Sequence, residues 1–364
     1  MTAKRKSPAA KVLKAVLIAL ILVVVCAGAY VAYVFASWHR IPDMQALEVT
    51  GGADAALEPE SEYSIVTWNL GFGAYSDDYS FFMDGGTESW AFSRDAVHEN
   101  IGAAIASLRA MQPDLMILQE LDFDATRSYH VDERALVQEA FPEMDAAFAV
   151  NYDSPFLMYP LTQPHGASRA GILTLSGADI ASSVRRSLPI ETGLMKVVDL
   201  DRCYSVSHIP VSNGRDLALV DLHLSAYTSD GTIATEQLKM LIDDLSAEYE
   251  NGNYVIAGGD FNKDLLGNSP EVFGVSGEKY TWAQPIDESL LTDGLTLVKA
   301  LDEADPVPSC RNCDIGYIEG TTFVVTVDGF IVSDNVEVLE AHVVDEGFKH
   351  SDHNPVRMAF RLKG

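Results

Sequence analysis

Positive charge is scarce in this 364-residue sequence: 25 Lys and Arg stand against 53 Asp and Glu, a formal net charge of −28 at pH 7. A surface of that sign repels phosphate-rich polymers at long range, which argues against a general nucleic-acid binder. It leaves open an enzyme whose site is neutralised locally by metal. The few cations are unevenly placed. Lys4, Arg5, Lys6, Lys11 and Lys14 fall in the first 14 residues, so the remaining 350 carry 20 cations against 53 carboxylates. Cysteine is also rare, with four in all. Cys26 sits in an apolar run, Cys203 in a strand-like one, and Cys310 and Cys313 form an isolated C-x-x-C. Two thiols with no second pair cannot complete a tetrahedral zinc site, which leaves a local disulfide in an oxidising compartment as one reading of the pair. Low-complexity tracts and short fixed-period repeats are missing, and 48% hydrophobic against 21% charged residues excludes a disordered chain.

Charge is absent altogether from Ala15 to Ser37, 23 residues rich in Ala, Val, Leu and Ile. At 1.5 Å per residue this run spans about 35 Å, enough for a hydrocarbon core of roughly 30 Å. Five preceding cations place the short N-terminus in the cytoplasm and the rest of the chain outside, by the positive-inside bias. Residues 1–14 are therefore expected to be a cytoplasmic basic tail and 15–37 a single-pass signal anchor in the cell membrane. Tyr30, Tyr33 and Trp38 stand near its outer end as an interfacial belt. The competing reading is a secreted protein released by cleavage at Ala27-Gly28-Ala29, which has the A-x-A form. Cys26 follows Val25 rather than a small residue, which argues against a lipoprotein site. The body is extracytoplasmic on either reading.

Residues 38–61 are polar and turn-rich and read as a stalk, with one domain over 62–364. There, short apolar runs predict strands at 64–70, 114–120, 146–151, 170–175, 195–200, 217–224, 253–259, 321–332, 336–344 and 355–362. Helices are expected over Arg94–Met111 and Thr232–Tyr249, the second with Leu238, Leu241, Ile242, Leu245 and Tyr249 at amphipathic spacing. About ten strands with few helices suit a two-sheet sandwich with helices outside.

Polar residues collect at the predicted strand ends. They supply carboxylates at Glu120, Asp260, Asp328 and Asp352, imidazoles at His223 and His353, and amides at Asn69 and Asn262. Each alone reads as an ordinary turn, cap or core polar group. Burying all of them without a shared ligand is costly. Oxygen-rich ligands without thiolate favour Mg²⁺, or Mn²⁺, over zinc. Phosphoester hydrolysis calls for these parts: a metal on the phosphoryl oxygen, a base for water and an acid near the leaving oxygen.

The series Trp68-Asn69, Gln119-Glu120, Leu222-His223, Gly259-Asp260-Phe261-Asn262, Val327-Asp328 and Ser351-Asp352-His353 resembles the endonuclease/exonuclease/phosphatase superfamily, in that family's order. The resemblance implies an α/β fold, the four-layer α/β/β/α sandwich of deoxyribonuclease-I-like proteins, with the site at one end of both sheets. It implies Glu120 as principal Mg²⁺ ligand with Asn69 and Asp352 beside it. Asp260 would orient or deprotonate the attacking water, and Asn262 would hold a phosphate oxygen. His353, supported by Asp328, would bind the scissile phosphate, and His223 would contact the phosphate or assist the leaving group. The acid/base split between the histidines is left open.

Substrate choice is less legible. Residues 71–93, with Phe72, Tyr75, Tyr79, Phe81, Phe82 and Trp90, read as a packed loop or as a rim of the site; a second aromatic and proline-rich loop covers 151–166. Arg127 and Arg169 are candidate phosphate clamps, with surface salt bridging as the alternative. His98, His130, His165, His208, His342 and His350 match no motif and read as structural or exposed. The leading expectation is a membrane-tethered phosphodiesterase acting on a lipid or small phosphoester. An extracellular nuclease, a phosphatase of sugar or inositol phosphates, and a catalytically inactive binding module are the alternatives. For the anchor, the expected outcome of carbonate extraction is that intact protein stays with the membrane pellet; a soluble chain starting near Tyr30 would establish cleavage instead.

Overall fold

The computed structural model describes residues 8–197, 199–226, 231–277, 280 and 282–364. The expected anchor is one helix, Pro8–Ser37, long and apolar enough to cross a membrane. Leu13, Leu20 and Val23 are exposed along it, and Val34 near its end is buried. Residues 1–7 of the basic tail lie outside the described residues.

The body is built on two seven-stranded sheets. One runs in the order Val336–Val343, Val356–Leu362, Glu62–Asn69, Leu115–Ala125, Ser168–Ser176, Asp145–Asp153, Val49–Thr50. The other runs Gln45–Ala46, Ser182–Ser187, Cys203–Pro210, Asp216–His223, Tyr254–Asp260, Asp328–Ser333, Leu295–Val298. Each sheet holds one parallel pair among the described residues: Glu62–Asn69 beside Leu115–Ala125, and Asp216–His223 beside Tyr254–Asp260. A parallel pair needs a crossover, and a helix supplies it each time, Arg94–Met111 in the first sheet and Thr232–Glu250 in the second.

These helices cover the outer faces. Val97, Ile101, Ala104 and Leu108 pack on Val66, Trp68, Met116 and Leu118. Leu238, Leu241, Ile242 and Leu245 pack on Val220, Leu222, Val255 and Ala257. Between the sheets lie Ile65, Leu115, Ile117, Leu217, Leu219, Ile256, Phe330 and Phe360. The result is the four-layer α/β/β/α sandwich.

The sequence expectations need correction at three places. No strand forms among the described residues of 195–200; Leu194–Val197 is a 3₁₀ turn instead, and Val198 lies outside the description. The run 321–332 is broken in two, Val324–Val325 pairing with Cys310–Arg311 before Asp328–Ser333 joins the main sheet. The stretch expected as a stalk is laid along the sheet edges: Gln45–Ala46 pairs with Ser182–Ser187, Val49–Thr50 with Asp145–Asp153, and Leu57 bridges to Val211. Two-residue pairings are too short to leave a periodic signal, which is why a turn-rich sequence concealed them.

Strand alternation decides what faces the inter-sheet space. Ile65, Thr67 and Asn69 share one side of their strand, as do Leu115, Ile117 and Gln119, Leu219, Asp221 and His223, and Ile256, Gly258 and Asp260. The inner face thus turns from apolar to polar toward the C-terminal ends of both parallel pairs. Gly259 lets the second pair close up there: its φ is +141°, and a Cβ would stand 2.0 Å from the Leu222 carbonyl oxygen. Gly259→Ala is expected to cost about 3 kcal/mol in denaturant unfolding. Gly102→Ala, in a helix where nothing lies within 4 Å of the added methyl, is expected to stabilise by about 0.5–1 kcal/mol.

Candidate active site

Register brings the polar ends together. Asn69 pairs with Gln119 in one sheet and Asp260 with His223 in the other. Gln119 Nε2 donates to Asp221 Oδ1 at 2.7 Å across the gap, forming a polar floor. Glu120 breaks the alternation: its φ is +55°, and the pairing register slips between Leu118 and Leu121. That bulge aims Glu120 at the site instead of the helical layer. Asn69 Nδ2 then donates to Glu120 Oε1 at 3.0 Å and to Asp260 Oδ2 at 3.1 Å, while its own Oδ1 accepts from Gly71 N at 3.0 Å. In this arrangement Asn69 orders the two carboxylates through its donor side.

The last motif is pinned onto the first strand. Ser351 Oγ donates to the Asn69 carbonyl at 2.7 Å, and Trp68 Nε1 donates to the His353 carbonyl at 2.8 Å. His353 Nδ1 lies 2.8 Å from Asp328 Oδ2, which also accepts from Ser309 Oγ at 2.7 Å. Burial opposes a charge on His353, yet Asp328, with Cys310 and Asp352 nearby, holds its pKa well above the ordinary value. His223 is the opposite case. Burial, then the charges of Arg202, His353 and Arg127, hold its pKa well below normal, so it is neutral. Its Nε2 stands 3.5 Å from Asp260 Oδ2 and 3.8 Å from Glu120 Oε1.

Asp260 is buried, and burial pushes its pKa up to about 7 against the pull of His353, with Asp328 and Glu120 adding to the rise. Asn262 N donates to Asp260 Oδ1 at 2.8 Å, and Asn262 Nδ2 to the Leu224 carbonyl at 2.8 Å. Asp352 is also raised by burial, with His353 opposing and the Glu120 charge adding. Among the described residues its carboxylate is met by Cys313 Sγ at 3.4 Å and Ser351 Oγ at 3.5 Å. Cys310 and Cys313 are free thiols, and Cys310 Sγ is 3.5 Å from His353 Nε2.

A cleft of about 160 Å³ joins Glu120, His223, Asp260, Asn262, Asp352 and His353. Ligand atoms of Glu120, His223 and Asp260 lie within 4.8 Å of one another, as do those of Asp260, Asp328 and His353. Asp260 and Asp352, whose pKa values are driven up by burial and by neighbouring carboxylates, are short of positive charge, and a hard divalent cation fits that oxygen-rich donor set. The aromatic loop after Asn69 is both packed and a wall: Phe72, Tyr75 and Phe81 are buried and line the cleft. Arg127 is there too, bonded to Asp122 through Nε and Nη2 at 3.0 and 2.9 Å and stacked 3.8 Å from the Phe72 ring. Arg169 is not brought to the cleft: it lies outside the lining, and its guanidinium pairs with Asp124 at 2.5 Å on the surface. Sequence reasoning passed over Asn151, His165 and Arg202, which also line the cleft. None sits in a motif, and His165 was read as structural or exposed.

No protein-family model and no curated protein matches the sequence. Solved structures do match. An endonuclease/exonuclease/phosphatase from Beutenbergia cavernae is 18% identical, with 83% of this chain and 72% of that one covered, at a TM-score of 0.57. This is the endonuclease/exonuclease/phosphatase fold. ANGEL2, a 2′,3′-cyclic phosphatase, is 13% identical over 88% of this chain and 99% of its own, at 0.56. The human Nocturnin catalytic domain, solved with a bound sulfate anion, is 17% identical over 87% and 97%, at 0.51. In the endonuclease/exonuclease/phosphatase fold of this chain, the His353–Asp328 contact is open to a direct check. Histidine ¹⁵N shifts are expected to report a charged His353 at neutral pH. Asp328→Asn is expected to lower its pKa, so that the ring loses its proton as pH rises through a lower value.

Proposed function

We propose that the chain is a metal-dependent phosphoesterase tethered to a membrane, a phosphodiesterase acting on a lipid or small phosphoester. The observation that carries the reading is the meeting of Glu120, Asp260 and Asp352 with one charged and one neutral imidazole in a single cleft, at the ends of two parallel strand pairs. Glu120 and Asp352 would hold the cation, with Asn69 keeping Glu120 in place. When bound, Mg²⁺ or Mn²⁺ supplies charge that polarises a phosphoryl oxygen.

The remaining work falls to side chains. Asp260, its carboxylate oriented by Asn262 N and Asn69 Nδ2, accepts the proton of the attacking water, and its elevated pKa suits a base working near neutrality. His353 has Nδ1 engaged by Asp328, so Nε2–H is the donor that meets a non-bridging phosphate oxygen. Asn262 uses one amide hydrogen on Leu224 and offers the other to the phosphate. His223, neutral and beside Asp260, contacts the phosphate or the leaving oxygen.

The contacts made by the apolar helix support the lipid reading. Tyr30 Oη accepts from Met158 N at 2.9 Å and donates to the Phe156 carbonyl at 3.3 Å, and Tyr33 Oη accepts from Phe156 N at 3.2 Å. The loop so held exposes Tyr159 by 70% and Leu161 by 80%. Phe82 packs against Tyr159, and Met83, also exposed, lines the cleft. An apolar rim beside the outer end of a membrane helix is suited to contact with lipid.

The test is Mg²⁺-dependent turnover by the full chain in detergent, since residues 45–57 complete the sheet edges. The substrates are sphingomyelin, phospholipids, duplex and single-stranded DNA, and sugar or inositol phosphates. Cleavage of a phospholipid or sphingomyelin is expected, with loss in EDTA. Glu120→Gln and Asp260→Asn are each expected to lower kcat by about a hundredfold or more. A folded variant retaining most activity would overturn the assignment, and cleavage of DNA alone would replace the lipid reading with the nuclease one.

A further inference from the structure

Four buried arginines stand near the cleft end of the sandwich, and one of them is unlike the others. Arg127 has Asp122. Arg185 donates to the Val150 carbonyl at 2.7 Å and the Asp201 carbonyl at 2.8 Å. Arg311 donates to the Ser76 carbonyl at 2.8 Å and the Ile315 carbonyl at 3.2 Å. Arg202 is 94% buried, yet its Nε and Nη1 have no hydrogen-bond partner among the described residues. Adjacent Asp201 is not its counter-ion, because that carboxylate is held by Arg40 at 2.6 Å and by Ile41 N at 2.5 Å. Asn151 is in the same position: it is 1% exposed, and its Nδ2 has no partner among the described residues. Both residues line the cleft that holds Glu120, His223 and Asp260, as does the carboxylate-bearing Asp199. A buried guanidinium and a buried amide N–H left without acceptors are costly to keep.

Sheet order places them together. In one sheet Asp260 is level with His223, and the Tyr204–Leu222 pairing sets Cys203 level with His223, so Arg202 stands just past the end of that row. In the other, Leu121 is level with Gly171, and Gly171 with Val150. Asn151 is the residue skipped where the register shifts between Val150 and Tyr152. Arg202 is therefore two strands away from Asp260 and Asn151 two strands away from Glu120, about 10 Å across the strands and displaced to the same side, away from Asp328 and His353.

We infer that Arg202 and Asn151, flanked by Arg127, form a second anion-recognition subsite, which selects phosphoesters carrying a further phosphate or carboxylate beside the scissile group. The inference rests on the phosphoesterase reading above and deepens it. The groups left without partners here, Arg202 Nε, Arg202 Nη1 and Asn151 Nδ2, are all donors, so their complement is an acceptor-rich group rather than an ammonium or an apolar chain. A planar guanidinium suits the paired oxygens of phosphate or carboxylate. A bound anion would also supply the acceptors that Arg202 Nε, Arg202 Nη1 and Asn151 Nδ2 lack.

The experiment compares hydrolysis of glycerol p-nitrophenyl phosphate with the same diester bearing a 3-phosphate, and vesicles of phosphatidylglycerol with vesicles containing phosphatidylglycerol phosphate. The full chain in detergent is assayed with Mg²⁺. The second anion is expected to lower KM by about tenfold or more, the scale of one charge-assisted contact, with a smaller effect on kcat. Arg202→Gln and Asn151→Asp are each expected to reduce that preference to near unity, and Arg202→Lys to keep part of it. Asn151→Asp serves where Arg202→Gln fails to fold. Preference in the soluble pair alone would assign the subsite to a free phosphoester, and preference in the vesicle pair to a lipid headgroup. Equal KM values in wild type overturn the subsite and leave the phosphoesterase reading standing. If neither diester is cleaved, that reading falls, and calorimetry with inorganic pyrophosphate decides the subsite: binding weakened by Arg202→Gln supports it, and an absence of binding overturns it.

Discussion

Mutual repulsion among carboxylates crowded at one end of the sandwich is the constraint around which this site is arranged. Glu120, Asp260, Asp328 and Asp352 come from four separated segments, yet the sandwich brings them to one end of the space between its sheets. Three of them, Glu120, Asp260 and Asp328, are held there by close hydrogen-bond donors. Asn69 donates to two of them, His353 and Ser309 share Asp328, and backbone N–H secures Asp260. The apolar majority of the inter-sheet core fixes the strands, and the strands fix the carboxylates. The positive φ values at Glu120 and Asn262 are local strain that packing on all sides sustains.

The catalytic constellation was legible because its signal was redundant. Polar residues close apolar runs repeatedly, in an order that resembles one family, and the fold brings Glu120, His223, Asp260, Asn262, Asp352 and His353 of that series to one cleft. The two crossover helices were legible for a related reason, since Leu238, Leu241, Ile242 and Leu245 keep strict helical spacing over the sheet they cover. Features without redundancy were lost. The strand Ser182–Ser187 alternates buried and partly exposed serine and arginine, a pattern that hydropathy does not distinguish from a loop. Gln45–Ala46 and Val49–Thr50 are edge additions made by tertiary pairing alone. Arg202 and Asn151 carry no motif, and their significance lies in hydrogen bonds they do not make. Arg127 and Arg169 were equivalent as sequence; only three-dimensional context separates the cation stacked on Phe72 from the one spent on Asp124.

The two histidines show how one cleft differentiates identical side chains. Burial lowers the affinity of both for a proton. At His353 the Asp328 carboxylate reverses that effect, whereas at His223 the neighbouring cations reinforce it. The pair therefore presents a hydrogen-bond donor with charge beside a neutral ring, an asymmetry that follows from which strand neighbours each residue has.

The latch between Tyr30, Tyr33 and the backbone of Phe156 and Met158 has a kinematic consequence. A globule hung on a slack polypeptide would tumble and search a hemisphere of solution. On the membrane-tethered lipid reading proposed above, one fastened at the root of its helix would keep a fixed attitude, and encounter would become a search in two dimensions. Its rate would then depend on the surface density of substrate within the same leaflet more than on bulk concentration.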